Sequence, residues 1–269
     1  GGPGRERNLL IFLHGFGGRK GPFMELAEKL GLPKTAVLAF DGPEAVPEEL
    51  LDDPPAFGWF TIFDEEFQLI EPCPGEQRRL ASLRVAARGL ADVVASLASL
   101  GWAPEEIFLF GYGQGGTVAL DLLLGVEHGC PHDLQLGGVV GVATEVLPER
   151  LLEPPGRGGA AVKAPVLLIH GAADQRTPPR AAEASAARLR ADAAQLQLHV
   201  FPGRSGEMLR GGHAEEMRCL MEFLTDHLHG VGRRGSEEAL RRLGATPVEE
   251  LERVDAAPVE DERRSPRPA

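Results

Sequence analysis

Four short segments of this chain carry groups suited to acyl transfer. Gly111-Tyr112-Gly113-Gln114-Gly115-Gly116 follows the apolar run Ile107-Phe108-Leu109-Phe110 and opens a helical pattern over Thr117 to Leu124. Strand, glycine-rich turn and helix form the setting of a nucleophile elbow, whose pattern is G-x-S-x-G and whose apex serine attacks a carbonyl carbon. Gly111 and Gly115 stand where that turn needs minimal side chains, but the apex itself is Gly113. Pro165 to Ile169 leads into His170-Gly171-Ala172-Ala173-Asp174, which places an acid beyond a strand end, and Gly211-Gly212-His213 precedes a last amphipathic run. An acid orienting a histidine that moves protons is what general-base chemistry requires. Leu13-His14-Gly15-Phe16-Gly17-Gly18 follows the first apolar run, where backbone N–H groups can face a developing oxyanion.

Each segment alone is weak, because a lone histidine before a helix is commonly a cap and an Asp after a strand a turn former. Their order carries the weight. Elbow, acid and histidine follow one another at gaps of 61 and 39 residues, the Ser…Asp…His order of α/β-hydrolases. Gly111, Gly113 and Gly116 also satisfy G-x-G-x-x-G, but their strand is not the first of the fold and no acid marks a ribose site. His14 belongs to the loop rather than to proton transfer. His128, His132, His199, His227 and His229 lack any comparable setting. No His and acid pairs stand at ligand spacing, so neither a metal nor another cofactor is expected.

The elements that must position these groups are short apolar runs alternating with amphipathic ones. Leu9 to Leu13, Ala36 to Phe40, Ile107 to Phe110, Gly138 to Val142, Val166 to Ile169 and Leu196 to Phe201 read as strands. The first five are nearly continuous in hydrophobicity, as parallel strands covered on both faces are. One helical stripe carries Leu80, Leu83, Leu90, Val93, Val94, Leu97 and Leu100, and another runs from Met217 to Leu228. The fold class expected is α/β, an α/β-hydrolase fold with a mainly parallel sheet and helices on both faces. Its domain spans 1–230, with 41–75, rich in Pro, acids and aromatics, as an excursion over the sheet edge. Residues 231–269 read as a tail: a short helix over Ser236 to Leu243, a second after the capping box at Thr246 to Glu249, and a disordered charged end beyond Asp255.

Composition narrows the function classes. The 269 residues suit one large domain or two small ones, with roughly three quarters of the unfolded surface buried. With 28 Lys and Arg against 40 Asp and Glu, the net charge of −12 argues against nucleic acid or anionic membrane as main partner. No apolar run approaches the ~20 residues of a transmembrane segment. Cys73, Cys130 and Cys219 are odd in number and widely spaced, which suits a reducing, cytoplasmic setting. The chain opens at Gly1 without a Met or a leader, which leaves room for a targeting signal upstream. No sequence feature sets an oligomeric state.

Taken together, Leu13-His14-Gly15-Phe16-Gly17, Trp59-Phe60, Gly111 to Gly116, Gly171-Ala172-Ala173-Asp174 and Gly212-His213 resemble the phospholipase/carboxylesterase family of acyl-protein thioesterases. The likeness covers roughly residues 8 to 228. It implies a cytosolic serine hydrolase acting on small acyl esters or thioesters, or on S-acylated proteins. It implies that Phe16 and Gln114 donate the oxyanion N–H groups, that Asp174 orients the base and that His213 is the base. Trp59, Phe60 and Tyr112 are candidates for contact with substrate. Two departures stand out. Gly18 replaces the family's usual Asp, and Gly113 replaces its nucleophilic serine.

Without an Oγ the acyl-enzyme route is absent. The expectation is therefore a pseudoenzyme that binds acyl ligands or proteins, or a strongly impaired hydrolase. The alternatives are a slow (thio)esterase working through a water activated by His213 and Asp174, a serine carboxylesterase inactivated by substitution at 113, and a His/Asp lyase or cofactor-free oxygenase on the same fold.

Overall fold

The computed structural model describes residues 6–47, 55–73, 76–125, 135–154, 163–192, 195–209 and 213–230. The expected tail helices, the charged end, Cys130, His128, His132, Gly211 and Gly212 lie outside them. In chain order the elements are β1 (Asn8–Leu13), α1 (Gly21–Leu30), β2 (Thr35–Phe40), β3 (Glu44–Ala45), β4 (Phe57–Gly58), α2 (Arg78–Ser99), β5 (Ile107–Tyr112), α3 (Gln114–Leu124), β6 (Gly138–Val142), α4 (Pro148–Leu151), β7 (Val166–Gly171), α5 (Pro179–Asp192), β8 (Leu196–Phe201) and α6 (Ala214–His227).

All six expected strands form, and they pair in parallel in the order β2-β1-β5-β6-β7-β8. Alternation along each inner strand sends side chains to two separate cores. On one face Leu9, Ile11, Leu13, Ile107 and Leu109 pack with Leu83 and Leu90 of α2, Val118 and Leu122 of α3, and Leu189 of α5. On the other, Leu10, Phe12, Phe108 and Phe110 pack with Leu30 of α1 and Leu220, Phe223 and Leu224 of α6. Because both faces are covered, β1, β5, β6 and β7 are buried along their whole described length apart from the half-buried Tyr112. The outer strands β2 and β8 are only partly buried.

This strand order creates the setting of the site. The chain steps outward from β1 to β2, then returns to the opposite side of β1 as β5, so β1 and β5 flank a topological switch point. Ligands of open α/β sheets bind in the crevice beyond the carboxyl ends of the strands at such a point. Leu13 pairs with Gly111, so the segments after β1 and β5 leave the sheet side by side. The excursion lies across these carboxyl ends. Its two short strands, β3 and β4, pair antiparallel, and Gly18 bridges to Phe57.

Candidate active site

The turn after β5 has the backbone of an elbow. Gly113, the residue before α3, has φ +50° and ψ −119°, outside the regions open to most side chains. Its neighbours answer to close approach. A Cβ on Gly111 would fall 2.3 Å from the Cα of Gly116, and one on Gly115 would fall 2.4 Å from the carbonyl oxygen of Leu13. The apex is different. A Cβ on Gly113 would meet only the Gly15 Cα at 3.6 Å and the Ala143 oxygen at 4.0 Å, ordinary contacts. Space for a side chain exists at the apex, and none exists at Gly111 or Gly115.

Two backbone amides near this turn lack a hydrogen-bond partner among the described residues. Gln114 is the first residue of α3, so its N–H has no carbonyl one turn back. Phe16 lies in the loop after β1, drawn against the elbow by the Gly115 amide, which donates to the His14 oxygen at 3.1 Å. The Gly17 amide donates to the Phe57 oxygen and the Gly18 amide to the Gly15 oxygen, both at 3.0 Å, while the Phe16 amide has no partner among the described residues.

The side chains around these amides are structural clamps. Gln114 accepts from the Trp59 amide at 2.8 Å and donates through Nε2 to the Phe60 oxygen at 3.0 Å, fastening the excursion to α3. Trp59 is buried, and its Nε1 donates to the His14 oxygen at 2.8 Å. His14 accepts from the Gly42 amide at Nε2 (2.8 Å) and donates from Nδ1 to the Gly15 oxygen (2.7 Å). Burial lowers its pKa, against the Gly15 bond and the charge of Asp41. Both ring nitrogens are thus committed to holding loops, as its sequence context suggests. Tyr112 also turns out to be a latch: its hydroxyl donates to the Gly206 oxygen and accepts from the Met208 amide at 3.1 Å, tethering the segment after β8.

Asp174 is buried where the chain leaves β7. Its Oδ1 accepts from the amides of Arg176 (2.8 Å) and Thr177 (3.1 Å), and Oδ2 is 2.7 Å from the place a Cβ on Gly206 would occupy. Gly171, three residues earlier, is pressed as tightly by the same loop: its Cβ would fall 2.2 Å from the Ser205 oxygen. His213 precedes α6, where its carbonyl accepts from the Met217 amide at 3.2 Å. Its side chain is exposed and makes no hydrogen bond to Asp174. The structure therefore brings Phe16, Gln114, Gly113 and the excursion together, and sets Asp174 beyond the end of β7, with His213 facing solvent.

Two groups here, one half-buried and one buried, were not singled out in the sequence. Glu145 follows β6, its carbonyl accepting from Thr117 Oγ1 at 2.8 Å. Burial pushes its carboxyl up to about 7, opposed by Arg79 and reinforced by Glu149 and Asp174. His170, on β7, is fully buried, and neither ring nitrogen has a hydrogen-bond partner among the described residues. Burial pushes its pKa down to about 4, against the charge of Asp174. Among the described residues no cluster of three or more His, Cys, Asp or Glu is arranged to hold a metal. No helix there is long and apolar enough to cross a membrane.

A family model described as phospholipase/carboxylesterase matches residues 2–236. The chain belongs to that family. The family member shares its α/β-hydrolase fold with esterase PE8 (TM-score 0.64, 24% identity, 84% of this chain and 94% of that one). It shares it also with acyl-protein thioesterase 2 of Zea mays (TM-score 0.62, 21% identity, 84% and 96%). At these identities the likeness speaks for the fold. An uncharacterized hydrolase of Mycosarcoma maydis is 34% identical over 146 residues, 52% of this chain and 49% of that protein. The match thus spans about half the length of the curated relatives.

Proposed function

We propose that this phospholipase/carboxylesterase family member binds an acyl ester or thioester, or an S-acylated protein, at the β1/β5 switch point without forming an acyl-enzyme. It is then non-catalytic or strongly impaired as a hydrolase. The observation that carries this is the apex: Gly113 has no Oγ, and among the described residues no nearby hydroxyl stands in for one. Thr144 Oγ1 donates to the Gly113 oxygen at 2.8 Å, Thr117 Oγ1 donates to Glu145, and the Tyr112 hydroxyl is spent on Gly206 and Met208. The amides of Phe16 and Gln114 remain able to polarise a carbonyl, which supports binding. A cytoplasmic location belongs to the same proposal, on the free cysteines Cys73 and Cys219.

A second reading has the open apex in its favour. Water in the place of a missing Oγ, activated by His213 with Asp174 as its orienting partner, would hydrolyse acyl substrates by general-base catalysis worth about 10²–10⁴-fold. One experiment separates the two. Purified chain is offered p-nitrophenyl esters and acyl thioesters, with intact-mass spectrometry on quenched samples. Background rates and no adduct are expected. Slow turnover that declines toward acid and vanishes in His213→Ala selects the water mechanism. An acyl adduct on the unmodified chain overturns both.

A further inference from the structure

Charge is distributed very unevenly along this chain. Residues 41–77 hold eleven of the forty Asp and Glu and none of the twenty-eight Lys and Arg. That segment, 14% of the length by residue count, carries a net charge of −11 against −12 for the whole molecule. Its described residues lie across the carboxyl ends of β1 and β5, clamped there by Gln114 and Trp59. Lys20 pairs with Asp41 at 2.8 Å and Arg78 with Glu76 at 2.7 Å, and the remaining excess of one sign concentrates ligands of the opposite sign.

The described part of this excursion contains a cavity of about 160 Å³. Its walls include Phe16, Phe60, Phe63 and Phe67, with Glu44 and Asp64 also lining it. Phe16 and Phe63 meet at 5.7 Å between ring centroids with planes 59° apart, and Phe67 is 53% exposed. Glu44 is held by the Thr61 hydroxyl, which donates to Oε1 at 3.1 Å and to Oε2 at 3.3 Å. Asp64 uses Oδ1 for the amides of Glu66 (3.1 Å) and Gln68 (2.8 Å). Neither carboxylate forms an ion pair among the described residues, and Arg78, whose charge Asp64 senses, is taken by Glu76 at 2.7 Å.

We infer that this cavity is a subsite for an organic cation, and that the acyl ligand of this protein carries an ammonium or guanidinium group. Two carboxylates fixed by their own hydrogen bonds, with aromatic rings beside them, present the negative potential and ring faces that such cations select. The volume is below the ~300 Å³ that encloses drug-sized ligands, so the cavity takes a headgroup rather than a whole molecule. Phe16 joins cavity and site: it lines the first, and its loop is held against the elbow by the Gly115 amide on the His14 oxygen. A cation seated here is thereby directed toward the carbonyl position.

The inference rests on the proposed acyl-binding site but is tested without turnover. Calorimetry and NMR titration of the unmodified chain at low salt compare choline with its neutral isostere 3,3-dimethylbutan-1-ol. Butylammonium and butylguanidinium serve as further arms that tell quaternary, primary and guanidinium cations apart. At least one cation is expected to bind tenfold or more tightly than the alcohol. That preference should shrink with added salt and disappear in the Glu44→Gln/Asp64→Asn variant, whose substitutions keep the acceptor oxygens used by Thr61, Glu66 and Gln68. Phe67→Ala, at an exposed ring, should weaken the cation severalfold and supplies a second variant if the double one fails to fold. Equal binding of cation and alcohol, or cation binding unchanged in both variants, overturns the inference. Either result leaves the acyl-binding proposal standing, just as measurable turnover would leave the cation subsite standing.

Discussion

Gly113→Ser restores the missing hydroxyl and tests how much of the site exists apart from it. Space sets no obstacle, since the nearest atoms to a new Cβ are at 3.6 and 4.0 Å. The cost comes from the backbone: at φ +50° and ψ −119° a side chain stands in a sparsely populated region, which amounts to about 1–3 kcal/mol. For a chain of this size each kcal/mol lowers Tm by about 2–4 °C, so the variant should melt about 2–12 °C below the unmodified chain. It should nevertheless fold, and it should take up a fluorophosphonate probe that the unmodified chain ignores. Differential scanning calorimetry and intact-mass spectrometry on the same samples give both answers. A variant as stable as the parent refutes the strain argument, and one that cannot fold refutes the argument from space. A folded variant that forms no adduct shows that His213 and the amides of Phe16 and Gln114 do not converge on the apex.

Gly115→Ala should fail where Gly113→Ser succeeds: its Cβ would lie 2.4 Å from the Leu13 oxygen, and soluble yield and Tm should both fall, with a loss of roughly 3 kcal/mol or more. Gln114→Ala strips partners from the Trp59 amide and the Phe60 carbonyl, for roughly 2–5 kcal/mol in denaturant unfolding and faster hydrogen exchange at Trp59; a change under about 0.5 kcal/mol would contradict the clamp. Stability should respond to pH through two groups of opposite sign. His170, at about 4 against an ordinary 6.5, contributes fully above pH 6.5 and loses that contribution as pH falls through about 4, because the unfolded chain binds its proton first. Glu145, at about 7 against 4.5, contributes fully below pH 4.5 and loses it as pH rises through about 7. Urea unfolding from pH 4.5 to 6.5 should therefore show stability rising with pH in Glu145→Gln and falling in His170→Leu, and slopes of one sign in both variants would refute the assignment.

Much of the frame was legible because burial leaves a simple trace. Strands covered on both faces are continuous apolar runs, as β1, β5, β6 and β7 are, whereas the partly buried β8 interrupts its apolar residues along LQLHVF and leaves a weaker trace. The two-residue strands Glu44–Ala45 and Phe57–Gly58 are too short for any period to register. Helix α5 hides for another reason: its buried residues include Ala182, Ser185 and Ala186, which are too small to draw an apolar stripe through PRAAEASAARLRAD. At the site, motif spacing pointed to Gly111, Gly113, Gly115 and Asp174. Glu145 could not be found that way, because its shift comes first from burial, and of the charges around it Arg79 and Asp174 lie far off in the chain while only Glu149 is near. Tyr112 has a similar history, its latch partners lying 94 and 96 residues away.

The contrast among the elbow glycines bears on how the family frame should be read. Gly111, Gly115 and Gly116 are fixed by atoms within 3 Å of any added Cβ: the Gly116 Cα, the Leu13 oxygen and the Thr144 side chain. Those contacts arise because β1, β5 and α3 approach most closely at the switch point, whatever the apex residue does. The same approach draws the Gly115 amide onto the His14 oxygen and so holds the loop bearing Phe16 against the turn. The placing of the loop that bears Phe16 against the turn is therefore a product of core packing. Only the apex and the two side chains Asp174 and His213 are free of that constraint. Of these, the apex carries no hydroxyl and His213 stands exposed, unbonded to Asp174. An elbow backbone of this kind is thus consistent with a ligand-binding role, and activity has to be judged at Gly113, Asp174 and His213.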